Sequence, residues 1–120
     1  MKIAITAQGT TMQSPVDPRF GRAKYFMVVD TDTGAYKAVD NVQNLQLAQG
    51  AGIQAGRTMD ELGVDAVVTG NVGPKAFATL RAAGIDVYIG ASGTVEDALK
   101  QYKEGTLRHT EGANVEGHWM

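Results

Sequence analysis

The order of the apolar runs restricts this fold more than any single motif. Tyr25–Asp30 ("YFMVVD") and Ala35–Val39 are both strand-length, and only the Gly-containing segment "TDTG" separates them. So short a connection makes the pair a hairpin. A further run, Ile3–Ala7, precedes it. Helical spacing begins only after the polar connection of residues 40–49. There Ala51, Ala55, Met59 and Leu62 recur on one face, and Gly63 follows as a C-terminal stop. Strands and helices then alternate. Asp65–Thr69 reads as a strand, a helix opens at Pro74 and stops at Gly84, Asp86–Ile89 is a strand, and Thr94–Glu104 is a helix. The second helix has an inward stripe of Ala76, Phe77, Leu80 and Ala83. The third carries Thr94 and Asp97 in the arrangement of a capping box.

The element order is therefore β-β-β-α-β-α-β-α. Right-handed crossovers require the fourth and fifth strands to run parallel to a shared neighbour. The first strand meets that need if it lies between the hairpin and the parallel pair. The predicted architecture is α/β, a five-stranded mixed sheet of order 3-2-1-4-5 with three helices, which is the ribonuclease H-like arrangement. A flavodoxin-like sheet fits less well, because its helices alternate with strands from the start. With 120 residues there is one core and one domain, placed at residues 1–107. From Leu107 the chain turns polar, and residues 108–120 are expected to form a flexible tail.

In this topology strands 1, 3, 4 and 5 point one way. The loop leaving the first strand, "DPRFGRAKYF", then lies at their carboxyl edge with Arg19 and Arg22. The starts of all three helices lie there too, in "QGAGI", "TGNVGPK" and "GASGTV". Ligands of open α/β sheets collect at this edge. Helix starts offer unpaired N–H groups and a partial positive charge, and glycines permit close backbone approach. The net charge is −2, so any anion site has to be local. Arg19, Arg22, Gly50, Gly52, Asn71, Gly73, Lys75 and Gly93 make such a local cradle. Each has a structural reading as well. The glycines serve turn geometry, Arg22 pairs with a carboxylate such as Asp17, and Phe20 plugs the core beneath the loop. Cysteine is absent, which excludes disulfides, thiolate ligands and a thiol nucleophile. Of the soft donors, Met59 belongs to a helix stripe, which leaves Met12 in the first loop as the candidate metal ligand. His109 and His118 in the tail read as an adventitious metal-binding end.

Several of these stretches carry a resemblance. "DPRFGRAKYFMVVD", "GAGI", "TGNVGPKAFATLRAAGIDVY" and "GTVEDALKQYKEGTL" are similar to the dinitrogenase iron–molybdenum cofactor biosynthesis family over about residues 1–107. The resemblance implies a ribonuclease H-like fold. It also implies non-covalent binding of a metal–sulfur cluster or its precursor, of Mo/Fe/S or Mo/Cu/S type, carried without chemistry and exchanged with cluster-assembly proteins. The family's candidate site maps onto Phe20, Gly21 and Arg22, the glycine turn of residues 50–53, and Asn71 with Gly73. Some members carry Cys or His before that glycine turn; here the stretch is "LQLAQGAG". A cluster would therefore be held by charge, hydrogen bonds and shape.

Two rival functions remain. A ribonuclease H-like nuclease needs a carboxylate on its first strand to share between two cations, and "IAITA" has none. A small-anion or nucleotide sensor could use the same glycine-rich edge, although "GNVGPK" lacks the spacing and the Ser/Thr of a phosphate-binding P-loop. Neither nucleic acid nor membrane is an expected partner, and in the absence of a targeting signal the expected location is cytoplasmic.

Overall fold

In a computed structural model, which describes residues 1–47 and 49–113, the chain forms one mixed sheet. The strands are β1 (Lys2–Ala7), β2 (Tyr25–Asp30), β3 (Tyr36–Asp40), β4 (Ala66–Val68), β5 (Asp86–Ile89) and β6 (Arg108–Thr110). The helices are α1 (Ala51–Leu62), α2 (Pro74–Ala82) and α3 (Val95–Glu104), and a short 3-10 turn covers Val42–Gln46. The spatial order is β3-β2-β1-β4-β5-β6. β1 pairs antiparallel with β2 and parallel with β4; β5 is parallel to β4. The expected order of the first five strands is thus present. No described helix is long and apolar enough to cross a membrane.

The sheet has six strands, not the five read from the sequence. Arg108–Thr110, assigned to a frayed tail, pairs antiparallel with β5. Its side chains hold it there. The His109 ring packs on Tyr88 with centroids 4.9 Å apart, and its Nε2 lies 3.4 Å from Asp86 Oδ1. Thr110 is buried. The strand covers what would otherwise be an open, pairing-competent edge of β5. His118 lies outside the described residues.

Alternation along the strands divides the core into two layers. Ala4, Phe26, Val28, Val67 and Val87 face α1 and α2, where Ala55, Met59, Ala76 and Leu80 complete the packing. Ile3, Ile5, Ala7, Met27, Val29 and Val68 face α3 through Val95 and Ala98. Phe77 and Ala83 of the predicted α2 stripe sit at the margin of the first layer, half-buried. α1 and α2 touch through Gly56. A Cβ there would come within 2.6 Å of Thr79 Cγ2, so a bare backbone lets the two helices close together.

Candidate functional site

The loop between β1 and β2 crosses the carboxyl edge and meets each helix start in turn, by hydrogen bonds at α3 and next to α2 and by close backbone contact at α1. Its first half closes over α3. Ser14 O and Met12 O accept the N–H groups of Val95 and Glu96, both at 2.9 Å. Thr94 and Asp97 form a reciprocal capping box. Asp97 N donates to Thr94 Oγ1 at 3.1 Å, and Thr94 N donates to Asp97 Oδ2 at 3.0 Å. The bond from the Thr94 backbone N–H and, after it, the Thr94 side chain hold the Asp97 carboxyl below its ordinary range. Two acidic residues, Glu96 and Asp97, stand in this first turn. The N-terminus of α3 is therefore saturated and negatively screened, and it has no N–H to offer an anion from residues 95–97. Gly93, placed in the cradle by sequence, is part of this closed end; its carbonyl accepts from Val16 N at 2.9 Å. Met12 is half-buried among the α3-side apolar residues, so its packing role accounts for it.

The second half of the loop runs over α2 and α1. Asn71 N donates to Pro18 O at 2.8 Å, and Asn71 Nδ2 reaches the same oxygen at 3.3 Å. Gly70 permits this contact. A Cβ there would stand 2.8 Å from both Pro18 Cα and Pro18 O. Thr6 Oγ1 donates to Asp17 O at 2.6 Å, next to Thr69 Oγ1 at 2.9 Å, which stitches β1, the loop and β4 together. Arg19 pairs with Asn71 across an isolated bridge. Its side chain is 48% exposed, with Nε 3.9 Å from the buried Asp17 Oδ1. An ion pair that long and that exposed is worth little, about 0–1 kcal/mol. Arg19 is thus a cation held beside the α2 start with its charge largely available. Lys75, in the first turn of α2, is exposed.

Neither α1 nor α2 has a side-chain cap or an acidic residue in its first turn. The α1 start follows Gly50 in the left-handed region, φ 83°. In this respect the two helices differ from α3, and the cradle contracts to their side of the sheet. It gathers Arg19, Asn71 and Lys75 with the buried Gly73 at α2, and Gly50 at α1, where the buried Gly52 is covered on one side by Gly21.

Three predicted residues turn inward. Phe20 is fully buried and packs on Phe26 with centroids 5.6 Å apart, so it is the core plug and cannot touch a ligand. Gly21 is buried, and its open side faces protein. A Cβ would lie 2.8 Å from Gly52 Cα, so the glycine serves loop-to-helix contact in place of ligand approach. Arg22 is half-buried, and its Nη1 donates to Leu47 O at 2.8 Å and Leu45 O at 3.3 Å. It pairs with main-chain carbonyls and not with Asp17.

Two residues at this edge were not singled out by sequence. Asn41 Nδ2 donates to Ala23 O at 2.8 Å and Gly21 O at 3.2 Å, and Asn44 Nδ2 donates to Ala51 O at 2.8 Å. Both are buried. Their only signal was two asparagines in a connection that otherwise read as polar loop. Among the described residues no three His, Asp or Glu side chains come together as a metal site.

The chain resembles proteins of known structure over most of its length. The apo orange protein of Desulfovibrio gigas is 43% identical and superposes with a TM-score of 0.92 over 95% of this chain and 96% of that one. A NifB-like protein of the DUF35 family from Thermotoga is 36% identical, with a TM-score of 0.84 over 97% and 98%. Protein MJ0580 of Methanocaldococcus jannaschii is 30% identical over 113 residues, 92% of either chain. The sequence pattern of the family described as dinitrogenase iron-molybdenum cofactor matches residues 1–105, and the chain belongs to that family.

Proposed function

We propose that this protein binds an anionic metal–sulfur cluster, or a precursor of one, at the starts of α1 and α2 and carries it without chemical change. The observation that carries the reading is the contrast among the three helix starts. α3 is capped and flanked by acids, whereas α1 and α2 are neither, and Arg19 stands beside α2 with half its side chain exposed. Sulfide-rich clusters are anionic, and uncapped N–H groups with a nearby guanidinium complement them. The cargo would be of Mo/Fe/S or Mo/Cu/S type. With cysteine absent from the chain, no protein thiolate bonds to it, so it would be retained by charge and hydrogen bonds and could be passed on. Family membership and the likeness to the orange protein and to a NifB-like protein support a place in cofactor assembly related to nitrogen fixation. A ribonuclease H-like fold and a cytoplasmic location fit the same reading.

The test is an anaerobic titration with tetrathiomolybdate, with and without copper(I), followed by absorbance, alongside a phosphate ester. Saturable one-to-one uptake of the thiometallate, weakened by salt and not displaced by the ester, is expected. Saturation by the ester alone would make the protein a small-anion or nucleotide sensor instead.

A further inference from the structure

Five donor contacts from three side chains converge on main-chain carbonyls at the open side of this edge. Asn41 holds Gly21 O and Ala23 O, Arg22 holds Leu45 O and Leu47 O, and Asn44 holds Ala51 O. The knot joins three separate segments: the loop of residues 20–23, the 3-10 turn, and the first residue of α1. Asn44 also closes the turn, since its own N–H donates to Asn41 O at 2.9 Å. Asn41 and Asn44 are 7% and 4% exposed, so their amide groups bond away from water and their loss is not made good by solvent.

We infer that Asn41 and Asn44 are positioning residues of the cargo site: they fix the α1 start against the loop, and so aim its uncapped N–H groups, without touching the cargo. The inference rests on the proposed site. The physical reason is the nature of the α1 start. Gly50 and Gly52 give it little stiffness of its own, and no side chain caps it. Its orientation has to be imposed from outside, and among the described residues Asn44 Nδ2 on Ala51 O is the side-chain bond that reaches it. The loop it rests on is held in turn by Asn41. Both side chains are neutral, so their effect on an anion can come only through geometry.

The experiment compares Asn41→Ala, Asn44→Ala and Thr94→Ala in the full chain. Thr94→Ala removes a neutral cap at the closed α3 end, so it lowers stability without entering the site. Amide hydrogen exchange of the protein without cargo is read first. Asn44→Ala should quicken exchange about tenfold in residues 51–54, and Asn41→Ala should do so in residues 21–24, with Ile5 and Val67 unchanged. Uniform quickening, or none, would overturn the inference whether or not the protein binds thiometallate. Tetrathiomolybdate titration is read second. Each Asn variant should raise Kd about tenfold and move the charge-transfer band of the bound ion towards its position in water, whereas Thr94→Ala should keep the parent Kd and band. Asn variants with the parent Kd and band would make the knot a stability feature alone and refute the inference. Failure of the parent to bind would refute the proposed function, and the exchange data would still judge the knot.

Discussion

Gly21→Ala probes how the loop is seated, because the structure gives its neighbours in atomic terms. An ideal Cβ would lie 2.8 Å from Gly52 Cα, 2.9 Å from Gly52 N and 3.2 Å from the carbonyl carbon of Ala51. All three are backbone atoms, so no side chain can rotate away. Carbon atoms rest comfortably at about 3.5–4.0 Å, so the loop and the helix must part by about 0.7 Å or more. Asn41 and Asn44 resist that movement through Gly21 O and Ala51 O. Overpacking of this sort costs about 1–3 kcal/mol. The methyl group returns about 0.4–1 kcal/mol by restricting the unfolded chain. The net loss is about 1–2 kcal/mol, or a fall in Tm of about 4–8 °C for a domain of this size. Thermal unfolding followed by circular dichroism measures it. Gly112→Ala is the control, since its φ is not positive and nothing lies within 4 Å of its Cβ position. It should stay within about 0.5 kcal/mol of the parent. A Gly21→Ala protein that melts with the parent, or above it, would show that the loop does not rest on the α1 backbone.

Three other outcomes follow from the same structure. Asp97 is bonded in its ionised form by Thr94, which lowers its pKa on folding; its contribution is therefore full above pH about 3.8 and lost as pH falls through the folded value. Urea unfolding of Asp97→Ala and the parent should accordingly differ at pH 6, and the difference should narrow as the solution is acidified; a gap that does not narrow in acid would contradict this. Truncation before Arg108 uncovers β5 and should lower Tm and promote association, read by light scattering, yet leave tetrathiomolybdate affinity within about twofold, since β6 and the α1 and α2 starts are separate; loss of uptake by a folded truncated protein would place β6 in the site. Incubation with an RNA–DNA hybrid and Mg²⁺ or Mn²⁺ should give no cleavage above a mock-purified control, because β1 brings no carboxylate to the sheet edge; co-eluting cleavage would overturn the carrier reading.

The strand order was legible because its causes are local. "TDTG" is too short for anything but a hairpin, and handedness then fixes where the later strands go. β6 was not legible. "RHT" is three polar residues with no period, and it is held by a tertiary contact of His109 with Tyr88 and Asp86 that no local pattern announces. The site divided in the same way. Convergence of the first loop and the helix starts on one edge followed from topology, and the Thr94–Asp97 box was visible as a motif. The carbonyls of Met12 and Ser14 that finish closing α3 were not, because backbone groups carry no sequence signature. The resemblance put Gly21 in the candidate site, yet the space on Gly21 is filled by Gly52; sequence reports flexibility but not what approaches. Arg22 read as one of the cradle's two arginines, and its bonds to Leu45 O and Leu47 O depend on a 3-10 turn that the sequence offered only as a polar connection.

The central claim is that the cargo anion meets the protein at α1 and α2 and not at α3. An amide nitrogen–proton correlation titration with tetrathiomolybdate tests it residue by residue. The account predicts that the shifted signals are those of Arg19, residues 50–53 and residues 71–76, excepting Pro74, while Val95, Glu96 and Asp97 stay in place. Largest shifts at Val95–Asp97, or along β6, would contradict it.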